Sequence, residues 1–233
     1  MKAKPKRLTE EDLHVHLLPL ARRFREAADP VDAAAMSAYM KGHFPFFGIK
    51  APLRRALQKA HWVEVGLPDL EELPGLVRSA FAQPQREWHY AALDLLVKQE
   101  KKLGLRHLPL VEELITTKSW WDTVDSLAVH VAGGILRRHP QAAAEWSGRW
   151  AESDDLWLQR TAILFQNRWK QHADQALLFA HIDRHAASKE FFLRKAIGWS
   201  LRELGATDPA AVLAFVQARK LSPLSEREAL RKL

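Results

Sequence analysis

An indole and a carboxylate stand four residues apart in the stretch Ser119-Trp-Trp-Asp-Thr-Val-Asp125. In a helix running through it, Trp121 and Asp125 occupy positions i and i+4 on one face. A flat π surface beside a fixed anion is suited to holding and stabilising a cation. The apolar stripe of the same helix takes Trp120, Val124, Leu127 and Val131. Trp120 is therefore assigned to the core, and Trp121 and Asp125 to another face. Ser119 fits an N-cap, with Asp122 three residues on as its capping-box partner. Asp125 lies a turn inside, where no free backbone N–H remains to be capped. The alternatives to a chemical role for Asp125 are a solvated helix carboxylate or an ion pair with a nearby arginine.

Trp199 has a similar character. Lys195 precedes it by four residues and Arg202 follows by three, so the indole shares a helix face with two cations. An indole on a basic face suits a nucleic-acid surface; the alternative is a ring covered by the aliphatic stems of those cations. Gly198 beside it lets another backbone or a ligand approach closely. Arg160 lies in a helix whose core stripe takes Leu158, Ala162, Phe165 and Trp169. It shares the other side with Thr161, Leu164, Asn167 and Arg168. A planar guanidinium there can grip a phosphate through two parallel hydrogen bonds, or form a surface salt bridge. His181 and His185 have i,i+4 spacing with Asp183 between them, so a metal is conceivable; surface histidines are the expected reading among 11 histidines. No phosphate-binding P-loop, dinucleotide glycine motif or HExxH occurs.

The elements that must position these residues are helical. Val-, Ile- and Thr-rich alternation of the strand type is absent, and apolar residues recur at helical spacing, as in Leu193, Ile197, Leu201 and Leu204. Pro30, Pro52, Pro68, Pro84, Pro140, Pro209 and Pro223 fall between the helical segments, and several of them sit just inside a helix start. The segments 84–116, 119–151, 154–184 and 188–218 can each be cut into two helices. That gives a period of about 35 to 40 residues, as stacked two-helix repeats produce. A globular helix bundle has the same rhythm.

The 233 residues are 47% apolar, ample for a packed core. Lys and Arg number 35 against 28 Asp and Glu, a net charge of +7 that favours a polyanionic partner. No apolar run is long enough to cross a bilayer. The N-terminus is basic without an apolar h-region, so it does not read as a signal peptide. Cysteine is absent, which excludes disulfides, thiolate zinc sites and cysteine nucleophiles. A cytoplasmic protein is expected, with a basic tail over residues 1–8.

Four stretches carry a resemblance: SWWDTVD, WLQRTAILFQNRWK, SKEFFLRKAIGWSLRE followed by LSPLSEREAL, and Tyr39 to Pro52 near the N-terminus. Together they resemble the AlkD family of bacterial DNA alkylation-repair glycosylases, in the same order along nearly the whole chain. The resemblance implies an all-α fold, a curved solenoid of stacked antiparallel helix pairs (HEAT-like repeats), as one domain over residues 1–233. It implies a monofunctional glycosylase hydrolysing the N-glycosidic bond of N3- and N7-alkylated purines in double-stranded DNA. By matching motifs, the family's catalytic aspartate falls on Asp125, its lesion-flanking tryptophans on Trp121 and Trp199, and its essential arginine on Arg160, expected to hold the backbone. Arg168, Lys170, Lys195 and Arg202 are placed to contact phosphates, and Tyr39 joins them as a DNA-binding residue. The family also implies a lesion left in the base stack, whereas most glycosylases extrude it.

The chemistry suits this set. Alkylation at N3 or N7 makes the purine cationic, so it leaves as a neutral molecule and needs little acid catalysis. The sugar becomes oxocarbenium-like, and a fixed carboxylate stabilises that charge and orients water. No cofactor, metal or membrane is called for, and a monomer suffices. The competing reading is a non-catalytic helical-repeat scaffold for nucleic acid or protein, which the fold alone would favour. Chelator-treated protein is expected to release N7-methylguanine normally and to leave uracil in place; activity lost to chelator and restored by zinc or magnesium would overturn this.

Overall fold

The computed structural model describes residues 13–231, so the basic tail lies outside the described residues. Among the described residues every regular element is helical, and no helix is long and apolar enough to cross a membrane. The chain divides into two compact units, one up to Lys98 and one from Gln99 onward.

The first unit contains α1 (Leu18–Glu26), α2 (Pro30–Tyr39), α3 (Ala51–Val65), α4 (Leu73–Ala82) and all but the last residue of α5 (Arg86–Gln99). Asp29 caps α2, accepting from the N–H groups of Val31 and Asp32 at 2.8 and 2.9 Å. Glu87 explains the shape of the Tyr39–Pro52 stretch. It is fully buried, and its carboxylate accepts from the backbone N–H groups of Phe47, Gly48 and Ile49 at 2.9 to 3.1 Å. Gly48 has φ +91°, and a Cβ there would lie 2.0 Å from the Asp29 carbonyl, so only glycine fits this turn. Tyr39 ends α2 with 72% of its surface exposed.

The second unit begins with α6 (Leu108–Thr116). A continuous helical run follows: α7 (Trp121–Ser126), a π-helical segment (Leu127–Ala132) and α8 (Gly133–Arg138). Then come α9 (Pro140–Glu152), α10 (Leu156–Leu164), α11 (Gln175–His185), α12 (Phe191–Gly205), α13 (Pro209–Gln217) and α14 (Pro223–Ala229). The segments 119–151, 154–184 and 188–218 thus each resolve into two helices. Alternate helices stack: α10 packs on α7 and the π segment on one side and on α12 on the other, α12 packs on α14, and α9 on α11. This pair-upon-pair order is that of a helical-repeat solenoid. Asp155, Asp174, Asp208 and Ser222 each cap a helix start by accepting a backbone N–H, and Pro140, Pro209 and Pro223 each occupy a first helical position.

Several sequence expectations change. Ser119 does not cap α7. Its hydroxyl donates to the Ile115 carbonyl at 2.6 Å, at the end of the preceding helix, and Trp120 in extended backbone takes the N-cap position with no side chain capping the helix. The capping box with Asp122 therefore does not form. Trp120 is only half-buried, in an aromatic group with Trp157 and Phe192 at centroid distances of 5.8 and 5.1 Å. Helix α10 is not amphipathic as read: Arg160 through Leu164 are all buried, because α9, α12 and the α7–π run enclose it. His181 and His185 are buried too, not on the surface. The Ser147 hydroxyl donates to the Ala143 carbonyl, so His181 Nε2, 2.8 Å from Ser147 Oγ, is the donor to it. Burial, with the nearby positive groups, pushes His181 down to about 4.

Trp169 is buried as expected, and its Nε1–H donates to the Gly133 carbonyl at 3.0 Å. Replacing it with alanine removes a buried indole and that bond. Trp169→Ala is expected to cost about 3–5 kcal/mol, read as a lowered urea midpoint with an unchanged slope; an unaltered midpoint would remove Trp169 from the core.

Candidate active site

Asp125 sits on the last turn of α7 with its side chain 19% exposed. Arg160, on α10 and 5% exposed, meets it with two parallel hydrogen bonds: Nε to Oδ1 at 2.7 Å and Nη2 to Oδ2 at 2.9 Å. The remaining Nη1 donates to the Phe192 carbonyl at the start of α12, and the guanidinium also lies near the Phe192 ring, 5.9 Å from its centroid. The sequence alternative of an arginine ion pair for Asp125 is realised, and its partner is Arg160. The guanidinium expected to grip a phosphate is buried and already engaged at all three nitrogens. Burial pushes the Asp125 carboxyl up, and the charge of Asp122 adds to this, while Arg160 pulls it back down; the net direction is upward.

Asp125 opens onto a cleft of about 350 Å³ lined by Ser126, Val129, His130, Asn167, Arg168, Trp199 and Glu203. Trp199 is half-buried, packed against the core of the unit, and its Nε1–H donates to Glu203 Oε1 at 3.2 Å. Glu203 at i+4 thereby fixes the indole's orientation. Asn167 is 9% exposed, and its Oδ1 lies 2.7 Å from the Ser200 hydroxyl. Arg168 stands exposed at the cleft, with Nη1 donating to Nδ1 of His130 at 2.7 Å. Trp121 is half-buried one turn before Asp125 and is not among the residues lining this cleft.

The structure therefore brings Asp125, Arg160, Trp199 and Arg168 together and disposes of other candidates differently. Lys195 and Arg202 turn to one carboxylate, Glu228 of α14, at 3.0 and 2.7 Å. They lie on the side of α12 where Gly198 admits α14: a Cβ on Gly198 would be 2.5 Å from Glu228 Cβ and 2.8 Å from the Ser225 carbonyl. The expected close approach at Gly198 is that of another helix. Lys170 is exposed, with a positive φ of 54°, at a turn after α10. Tyr39 belongs to the first unit.

Sequence reasoning missed His130, Asn167 and Glu203. Glu203 was findable, four residues beyond Trp199. His130 was not, because a residue five beyond Asp125 lies about 140° around a regular α-helix. The π segment, of which His130 is part, widens the turn and carries His130 to the cleft. Among the described residues no group of three or more potential metal ligands occurs.

A helical-repeat unit that presents a braced carboxylate and an indole at one cleft defines a class of candidate catalytic protein. The chain belongs to the DNA alkylation repair enzyme family, whose model matches residues 20–233, through both units. Among solved structures it is similar to a predicted DNA alkylation repair enzyme from Enterococcus faecalis, at 32% identity and a TM-score of 0.83, covering 88% of this chain and 96% of that one. A search of curated proteins returned no match. The family assigns the protein a role in repair of alkylation-damaged DNA, with DNA as the substrate.

The geometry makes a titration prediction. In a 13C-detected NMR titration the Asp125 carboxyl is expected to take up its proton above the usual aspartate range, because burial outweighs Arg160. Arg160→Gln removes the influence that pulls it down and is expected to raise the midpoint further. A wild-type midpoint at or below the ordinary aspartate value of 3.8 would contradict the burial assigned to this carboxylate.

Proposed function

We propose that the protein is a DNA glycosylase that hydrolyses the N-glycosidic bond of cationic N3- and N7-alkylated purines in double-stranded DNA. The observation that carries this reading is the two-point hold of Arg160 on a carboxylate that still opens onto the Trp199 cleft. Each Asp125 oxygen accepts one bond from Arg160 and retains acceptor capacity toward the cleft. Scission of an alkylpurine nucleotide develops positive charge on the deoxyribose. Asp125 stabilises that charge and orients the attacking water. A carboxylate that could rotate would lose part of this effect to reorganisation; one held at both oxygens does not. Arg160 is therefore read as the residue that positions Asp125 and keeps it ionised, rather than as a holder of the DNA backbone.

The indole of Trp199, fixed by Glu203, lies against the cationic nucleotide and favours it over a neutral one. Trp121, on the preceding turn of the carboxylate's own helix and outside the residues that line the cleft, is proposed as the second flanking indole. The leaving base is already activated, so no general acid is required, and the residues of the cleft suffice without metal or cofactor. A neutral base gains neither the attraction nor the easy departure and is a poor substrate.

Asp125→Asn is expected to slow single-turnover release of N7-methylguanine by about 100- to 1000-fold, the usual cost of removing one electrostatic stabiliser. It also leaves the Arg160 guanidinium buried without its counter-charge, so the rate is measured well below the variant's own melting temperature. Trp199→Ala is expected to impair release more than folding. A folded Asp125→Asn protein that excises at the wild-type rate would sink the proposal.

A further inference from the structure

The candidate phosphate-binding cations of the second unit are not equivalent. Arg160 is consumed by Asp125, and Lys195 and Arg202 by Glu228. Arg168 has no carboxylate partner among the described residues and lines the same cleft as Asp125. Its guanidinium is held instead by a neutral acceptor, Nδ1 of His130, at 2.7 Å.

That contact fixes the state of the imidazole. Arginine is only a donor, so Nδ1 carries no proton. The ring is then the neutral tautomer with its proton on Nε2. Burial and the Arg168 charge both lower the His130 pKa, in keeping with a neutral ring. His130 is half-exposed and lines the cleft. A neutral imidazole holding an arginine therefore aims a cation without cancelling its charge, as a carboxylate would. The arginine keeps its full attraction for an anion, and its other N–H groups stay available for a two-point contact with a phosphate.

We propose that Arg168 and His130 form one phosphodiester-binding unit at the mouth of the Asp125 cleft, in which His130 is the positioning residue and Arg168 the contact. The ligand is a backbone phosphate of the strand that carries the lesion. The inference rests on the cleft being the place where the damaged nucleotide lies. It does not need the bond-breaking chemistry, because it is read from binding to undamaged duplex.

The test measures the affinity of a short undamaged duplex across a salt series by fluorescence anisotropy, alongside melting temperatures. Arg168→Gln is expected to lower the log–log salt slope by about 0.9, one phosphate contact. His130→Phe keeps every charge of the neutral-histidine protein but removes the acceptor; it is expected to weaken binding and lower the slope by part of that amount. His130→Asn, which restores an acceptor near the Nδ1 position, is expected to recover the wild-type slope. In the Arg168→Gln background, His130→Phe is expected to have no further effect. A slope unchanged in folded His130→Phe, or an effect additive with Arg168→Gln, would overturn the proposal. Both outcomes are independent of base release, so a protein that binds as expected but excises nothing would overturn the glycosylase reading and leave the phosphate unit standing.

Discussion

Burying a carboxylate raises its free energy unless its charge is met, and Asp125 is met by a guanidinium that is itself more deeply buried. Removing one partner of such a pair typically costs about 3–5 kcal/mol, because the other is left uncompensated. The third guanidinium nitrogen reaches the Phe192 carbonyl, so one side chain on α10 ties together α7 and the start of α12. Three helices that stack on one another, α7, α10 and α12, thus share a single polar junction. Their relative position is set by the same contacts that aim the carboxylate, so the aim of Asp125 cannot be separated from the stacking of the helices.

Close backbone approach is the second condition. Gly133 has no room for a Cβ, which would lie 2.2 Å from the Phe165 carbonyl, and the indole of Trp169 bonds the Gly133 carbonyl nearby. Gly198 does the same for α12 and α14. Where these helices meet, small residues let the backbones touch and the large side chains fill the flanks. The N-terminal unit uses a different device. Glu87 gathers three consecutive N–H groups of one loop onto a single buried carboxylate, which turns an irregular segment into a fixed one.

How much of this was legible in the sequence follows from which features are local. Helix pairing was readable, since capping aspartates, first-turn prolines and apolar spacing are all short-range signals. Asp125 stood out because i,i+4 spacing with Trp121 needs only one helix to be right. Arg160 was recognised as important, but its partner was not, for the two are 35 residues apart and meet only once α7 stacks on α10. Lys195 and Arg202 read as a free basic face because Glu228 belongs to a later helix. Ser119 followed the capping pattern, yet its hydroxyl turned back to Ile115, a competition between two helix ends that sequence cannot arbitrate. The π segment was invisible because the period that reveals an α-helix assumes there is none.

That π segment divides one long helical run into two parts with independent angular phase. Upstream, Asp125 is set toward the cleft; downstream, Gly133 is set by the seam with Phe165. In an unbroken α-helix the two settings would be locked at about 100° per residue, and any change in one would rotate the other. The widened turn works as a coupling with slip. It lets the Asp125 end of the helix take a rotation that the Gly133 end does not share, so the cleft and the packed seam are each satisfied.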